Sequence, residues 1–242
     1  MFSKYFEELE QKLVKAPSGK KAPAAKGKTA RQVKSPAARQ PSPAEILHAI
    51  EGIIPSRLKA GALRMIDQSG YAPEGIDFVV YKELCRDMES LMGGFVPSEL
   101  VYASCIIAPP LNHDNLKMVL GRVIQAKKVN RYTETESDKN LVPAFVIAQG
   151  TDIPLPDMKK ALLDYYMSHS VDYDFEFDIL MVLGKGLVIK DWREKRSFIA
   201  LETGRDTLMW FFILMNEYLD VEKNTELDLR AYVKRTEKYN EY

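Results

Sequence analysis

Leu100-Val101-Tyr102-Ala103-Ser104-Cys105-Ile106-Ile107-Ala108-Pro109-Pro110 is the stretch on which the fold turns. From Leu100 to Ile107 it is almost continuously apolar and rich in β-branched residues, and a pair of prolines ends it. A strand with one wet face alternates apolar with polar residues. This run offers water almost nothing on either side, so it reads as a central strand covered on both faces.

The flanking sequence supplies the covers. Downstream, Leu116, Val119, Leu120, Val123 and Ile124 recur at helical spacing within residues 112–129. A polar segment, 132–140, leads to a strand at 144–149. Pro156 opens a helix carrying Met158, Ala161, Leu162 and Tyr165. Strands at 177–183 and 187–189 flank Gly184-Lys185-Gly186, which reads as a hairpin turn. Residues 198–201 make another strand, and Asp206 caps a last helix through Leu219, apolar on nearly every side and therefore buried. The charged tail, 225–242, reads as a surface helix. Upstream, Ser42-Pro43-Ala44-Glu45 has the form of a capped helix start, with Ile46, Leu47, Ile50 and Ile54 as the buried face and Pro55 as the stop. Strands at 62–67 and 76–81 form an antiparallel pair. The order predicts an α/β domain with a mixed central sheet flanked by helices, one core and no internal repeat.

Residues 44–242 are expected to form that domain, and two further segments precede it. In residues 1–15, Phe2, Tyr5, Phe6, Leu9 and Leu13 fall on one stripe of an amphipathic helix. A helix this short needs a surface to dock on, either its own domain or another protein. Residues 16–43 hold five prolines, seven alanines and seven basic residues with no acid. Such a segment cannot bury enough to offset its ordering entropy and reads as a disordered basic linker. The balance of a chain with net charge zero then leaves the remainder mildly acidic, which argues against a broad nucleic-acid-binding face.

The 242 residues are 46% hydrophobic and 28% charged, an ordinary globular composition. Cys85 and Cys105 make no disulfide framework and are expected to be buried thiols in a reducing compartment. The longest apolar run, 208–215, is too short to span a bilayer, and no leader is visible, so a cytoplasmic protein without membrane insertion is expected.

Gly75-Ile76-Asp77-Phe78-Val79-Val80-Tyr81, followed by Phe95-Val96-Pro97-Ser98-Glu99-Leu100-Val101-Tyr102-Ala103, resembles an uncharacterised bacterial family of PD-(D/E)XK nuclease-like domains. The resemblance extends from about Ala44 to Val233. It implies a restriction-endonuclease-like core in which an Asp and a Glu on neighbouring strands hold Mg²⁺, and a Lys two residues after the Glu serves the attacking water. In the register of that family, Asp77 takes the place of the first ligand. Ile106 stands at the Glu position and Ala108 at the Lys position, and no Glu or Lys occurs between Val101 and Leu111. The resemblance therefore implies a degenerate catalytic motif.

Three functions follow as expectations. The first is a noncatalytic pseudo-nuclease, a protein-interaction or scaffold module without cofactor that tethers another protein through the N-terminal helix. The second is a divergent Mg-dependent nuclease using Asp77 with migrated residues, Glu99 and Lys128 foremost; Lys127, Gln125, Glu45 and Glu51 are further candidates. The third is a nucleic-acid-binding protein without catalysis. The first is preferred, because grease and a methyl group replace an acid and an amine. Lys127 and Lys128 otherwise read as a solvated helix face. His48, His113 and His169 lie too far apart for zinc-ligand spacing. Asp172, Asp174, Glu176 and Asp178 alternate with Tyr173, Phe175 and Phe177, which reads as a charge-protected edge strand.

Overall fold

A computed structural model describes residues 2–14, 40–85, 87–131, 141–191, 193, 197–219 and 240–241. The expected linker lies almost wholly outside these residues, as do the polar segment at 132–140 and most of the charged tail.

The elements run α1 (Phe2–Val14), α2 (Pro43–Glu51), β1 (Lys59–Gly61), β2 (Arg64–Ile66), β3 (Phe78–Tyr81), α3 (Met88–Leu91), β4 (Phe95–Pro97), β5 (Val101–Ala108), α4 (His113–Lys127), β6 (Ala144–Ala148), α5 (Leu155–Ser168), β7 (Ile179–Val182), β8 (Gly186–Lys190), β9 (Phe198–Glu202), α6 (Thr207–Leu219) and β10 (Asn240–Glu241). Eight strands form one mixed sheet in the order β1-β3-β5-β6-β7-β8-β9-β10. β5, β6 and β7 are mutually parallel, and the other neighbours pair antiparallel. This is the mixed α/β sheet that the sequence predicts.

Alternation along β5 divides the core. Ala103, Cys105 and Ile107 pack with α1, α2 and α6 on one face. Ile106 and Ala108 pack with α4 and α5 on the other, against Leu116, Val119, Leu120 and Val123. The strand is thus buried on both sides, as its composition requires. The helices that connect β5 to β6 and β6 to β7 both lie on that second face. Local signals set their starts. Asn112 accepts hydrogen bonds from the Asp114 and Asn115 N–H groups, and Ser42 and Glu45 form a reciprocal capping box on α2.

Some expectations do not survive. The segments at 62–67 and 76–81 do not pair with each other. β2 instead pairs parallel with β4 in a separate two-stranded sheet, and β3 pairs with β1 and β5. The alternating acids form no edge strand. Tyr173–Phe175 is a 3₁₀ turn, and Glu176 and Asp178 are buried. The chain end at Asn240–Glu241 is a short strand on β9 rather than helix. Cys105 is buried as expected, but Cys85 is exposed.

The N-terminal helix docks on its own chain. Phe6 and Leu13 are buried in the core, Leu9 packs against it, and the Phe6 ring meets Phe212 of α6 in a tilted pair with centroids 4.9 Å apart. Tyr5 of the expected docking stripe remains 54% exposed. Burying a phenylalanine contributes roughly 1.5–3 kcal/mol, and one polar residue fixes the register of the contact. Glu10 is buried, with Oε1 accepting the Gly184 N–H at 2.8 Å and Oε2 accepting the Leu208 N–H at 3.1 Å. It therefore caps both the β7–β8 turn and the first turn of α6. Burial outweighs these hydrogen bonds and pushes its carboxyl from the ordinary 4.5 up to about 7.

Glu10 makes stability depend on pH. The folded chain binds this proton more tightly than the unfolded chain does. The stability it contributes is complete below about pH 4.5 and is lost as the pH rises through about 7. The expected loss is about 3 kcal/mol, read as a falling urea midpoint between pH 4.5 and 7.5. Glu10→Gln should flatten that part of the profile, and an unchanged slope in the variant would contradict the assignment. A second prediction concerns Gly186, where β8 and β9 meet. A Cβ there would lie 2.0 Å from the Leu201 carbonyl oxygen and 2.7 Å from Leu155 Cδ1. Gly186→Ala should cost about 3 kcal/mol or more through overpacking, seen as a lower melting temperature.

Candidate active site

Asp77 enters β3 from a loop held by the main chain of β5. Its N–H donates to the Cys105 carbonyl at 3.0 Å, and β3 then continues with Phe78 opposite Cys105. Its carboxylate turns to the α4 face of the sheet, the face that also carries Ile106 and Ala108. Both latter side chains are fully buried beneath α4.

Arg122 of α4 stands over Asp77. Its Nη2 lies 2.6 Å from Asp77 Oδ2, its Nε donates to the Gly75 carbonyl at 2.7 Å, and Nη1 reaches the Ile107 carbonyl at 3.4 Å. Asp77 Oδ2 also accepts the Ile107 N–H at 2.7 Å. Gly75 adopts φ +83°, and a Cβ there would lie 2.8 Å from Arg122 Nε, so glycine is what lets the guanidinium approach the backbone. Nothing local in the sequence marks Arg122, which lies 45 residues from Asp77.

The migrated set is not brought together. Glu99 lies in the turn before β5 and accepts a hydrogen bond from Gln68 at 3.2 Å. Lys128 ends α4 at that same end of the sheet, where the Ser98 hydroxyl donates to the Asn130 carbonyl at 2.8 Å. Asp77 instead bonds to Cys105 and Ile107 in the second half of β5, whereas Glu99 precedes the first residue of that strand. Gln125 accepts the Tyr71 hydroxyl at 2.9 Å. Glu45 and Glu51 belong to α2, on the opposite face of the sheet.

Lys127 is not a solvated residue. Only 4% of its side chain is exposed, and its Nζ lies 2.6 Å from Asp178 Oδ2, which also accepts the Ala144 N–H at 2.7 Å. Lys190 lies near this pair with its ammonium 3.6 Å from the centre of the Tyr173 ring, and burial lowers its pKa. The signal for Lys127–Asp178 lay in the acidic alternation, where Asp178 could not be distinguished from its exposed neighbours.

These residues, as arranged, do not fit a divalent ion. Asp77 offers one carboxylate whose Oδ2 is occupied by a guanidinium and an amide, while the side chains at 106 and 108 carry no donor atom. Among the described residues no three His, Cys, Asp or Glu side chains cluster to hold a metal ion.

No protein-family model and no curated protein matches the sequence. Solved structures do match the fold. The chain is similar to NucC of Escherichia coli MS115-1 in its apo form, with a TM-score of 0.63 at 16% identity over 96% of this chain and 95% of that one. It is similar to cAAA-bound NucC of Pseudomonas aeruginosa ATCC27853, with a TM-score of 0.63 at 14% identity over 96% and 94%. The cAAA-bound form of the E. coli protein matches at 0.57 and 16% identity over 78% and 81%. The restriction-endonuclease-like fold is thereby established.

These matches correct the preferred functional expectation. The likeness to NucC spans nearly the whole of both chains, the NucC of one match bound to cAAA. A noncatalytic pseudoenzyme or scaffold, with no enzyme class, does not stand beside such neighbours. The expectation of no cofactor, which followed from the inactive reading, falls with it. Divergence at positions 106 and 108 is thus insufficient reason to call the fold inactive. Of the expectations about partners, the N-terminal helix is docked in cis, and among the described residues no helix is long and apolar enough to cross a membrane.

Asp77 should be worth stability in its own right. Replacing it by Ala leaves the Ile107 N–H and the Arg122 guanidinium without their common acceptor. The expected cost is about 1.5–3 kcal/mol, measured by urea denaturation at pH 7. A variant as stable as the parent would show that the three-way contact contributes nothing.

Proposed function

We propose that this chain is a divergent nuclease that acts on phosphodiesters at the Asp77–Arg122 end of β5. The observation that carries this reading is the match to NucC along nearly the whole of both chains, with Asp77 at the entry to β3 beside the end of the central strand. Arg122 suits the task in chemical terms. A guanidinium carries five N–H donors in a planar fork that matches phosphate oxygens. Three donors are committed to Gly75, Ile107 and Asp77, which leaves two for an incoming anion. Asp77 holds the fork in place, and the Ile107 N–H holds Asp77. Because the arranged residues do not fit a metal ion, the assigned roles stop at these groups. cAAA, the compound bound in two of the matched structures, enters as a candidate activator for this chain.

The deciding experiment incubates the full chain with single- and double-stranded DNA and with RNA. Mg²⁺, Mn²⁺ or EDTA is present, each with and without cAAA. Metal-dependent cleavage is expected, and Asp77→Asn should lower it at least about a hundred-fold. Absence of cleavage on every substrate, with cAAA included, would overturn the reading.

A further inference from the structure

Glu10 is the polar centre of the contact between α1 and the rest of the chain. Its two carboxylate oxygens accept main-chain N–H groups from two different elements, Gly184 in the β7–β8 turn at 2.8 Å and Leu208 at the start of α6 at 3.1 Å. Around it the contact is apolar: Phe6 and Leu13 are buried, and Leu9 and Phe212 pack against the same core. The charged groups nearby do not neutralise it. Arg205 lies 3.6 Å from Glu7 with most of its side chain exposed, and Asp206 repels the carboxylate. The Lys185 ammonium is held by the Thr151 carbonyl, and on α2 His48 and Glu51 pair with each other at 3.9 Å. Burial therefore wins, and the carboxyl is pushed up to about 7. A pocket of about 180 Å³, lined by Glu7, Glu10, Gln11, Val14, Gly184 and Arg205, lies beside it, so the acid can exchange its proton while the core stays closed.

We propose that α1 is a pH-sensitive strap: protonation of Glu10 holds it on α6 and the β7–β8 turn, and ionisation releases it while the sheet stays folded. Two features of the fold allow a separate release. α1 contributes no strand to the sheet, and it packs on α6, on α2 and on the 3₁₀ turn Gly204–Asp206. α6 in turn packs on β5, β7 and β8, so it keeps its place when α1 leaves. Docked α1 binds the proton more tightly than released α1, whose carboxyl has the ordinary 4.5. Docking is therefore strongest below about pH 4.5 and weakens as the pH rises through about 7. Between pH 5.0 and 7.5 the ratio of docked to released chains falls roughly fifty-fold.

Amide hydrogen exchange of the full chain tests this and needs no nuclease substrate. It is followed by mass spectrometry at pH 5.0 and 7.5 and corrected for the intrinsic exchange rate at each pH. Protection of residues 2–14 should fall roughly fifty-fold, while residues 101–108 of β5 stay far more protected at both pH values. Glu10→Gln, with folding checked by circular dichroism, should remove the pH dependence. Phe6→Ala should lower α1 protection by the same factor at both pH values and keep the dependence, which separates the carboxylate from the apolar contact. The parent chain alone overturns the proposal if the protection of residues 2–14 is equal at the two pH values. So does a joint loss of protection in residues 2–14 and 101–108, which would place the proton in global unfolding. A fall that persists undiminished in Glu10→Gln overturns it as well.

Discussion

The carboxylate of Asp77 answers two donors at once, the N–H of Ile107 and the guanidinium of Arg122. This joins the entry to β3, the end of the central strand and the middle of α4 at a single oxygen. The main-chain donor fixes where the carboxylate sits, and the guanidinium lies across the same oxygen. Charge-assisted hydrogen bonds of this kind are short and strong relative to neutral ones. The pair is only partly covered, so water screens it and the side chains keep some freedom. A fully buried pair would be locked, and a fully exposed pair would be weak. Its intermediate burial leaves the contact ordered yet open to solvent.

Elsewhere the molecule buries charge outright. Lys127 and Asp178 meet at 2.6 Å with almost no exposure, and the buried carboxylate of Glu10 on α1 is held by two backbone donors. Removing one partner from a buried pair strands the other at high cost, whereas replacing both is often neutral. These contacts therefore act less as sources of stability than as registration pins. Lys127 ties the end of α4 to the start of β7 through Asp178. Glu10 ties α1 to the β7–β8 turn and to the first turn of α6. Arg122 is aimed at Asp77 only if α4 lies in the correct rotation over the sheet, and Lys127, five residues further along the same helix, secures that rotation.

What could be read from sequence was what local physics determines. The doubly covered β5, the Ser42–Glu45 capping box, the α4 stripe and the turn at Gly184-Lys185-Gly186 each carry their signal within a few residues. β2 and β4 do not. Each is three residues long and pairs across a gap that contains β3, so no periodicity announces the partner. The acids from Asp172 to Asp178 misled for a related reason. Alternation predicts an edge strand, but a 3₁₀ turn breaks it, and Asp178 is buried by a lysine from another helix. The amphipathic stripe of α1 was legible, while its docking surface was not, because Phe212 and Gly184 lie some two hundred residues away in the chain. Asp77 was legible as a candidate through resemblance, and Arg122 was not legible at all.

A catalytic motif records side chains, and that is its limitation here. Ile106 and Ala108 lack the acid and amine expected at their places, and from side chains alone the inference to a dead site is sound. The main chain is less particular, for every residue carries a carbonyl whatever its side chain. The residue between Ile106 and Ala108 directs its carbonyl at Arg122, and so does Gly75. An aliphatic side chain at position 106 leaves undisturbed the strand geometry that aims the Ile107 main-chain oxygen. The position of that oxygen is set by the pairing of Asp77 and Phe78 with Cys105, which depends on the fold and not on the motif. Loss of a motif and loss of the backbone that carried it are therefore separate events, and only the first is read from the sequence.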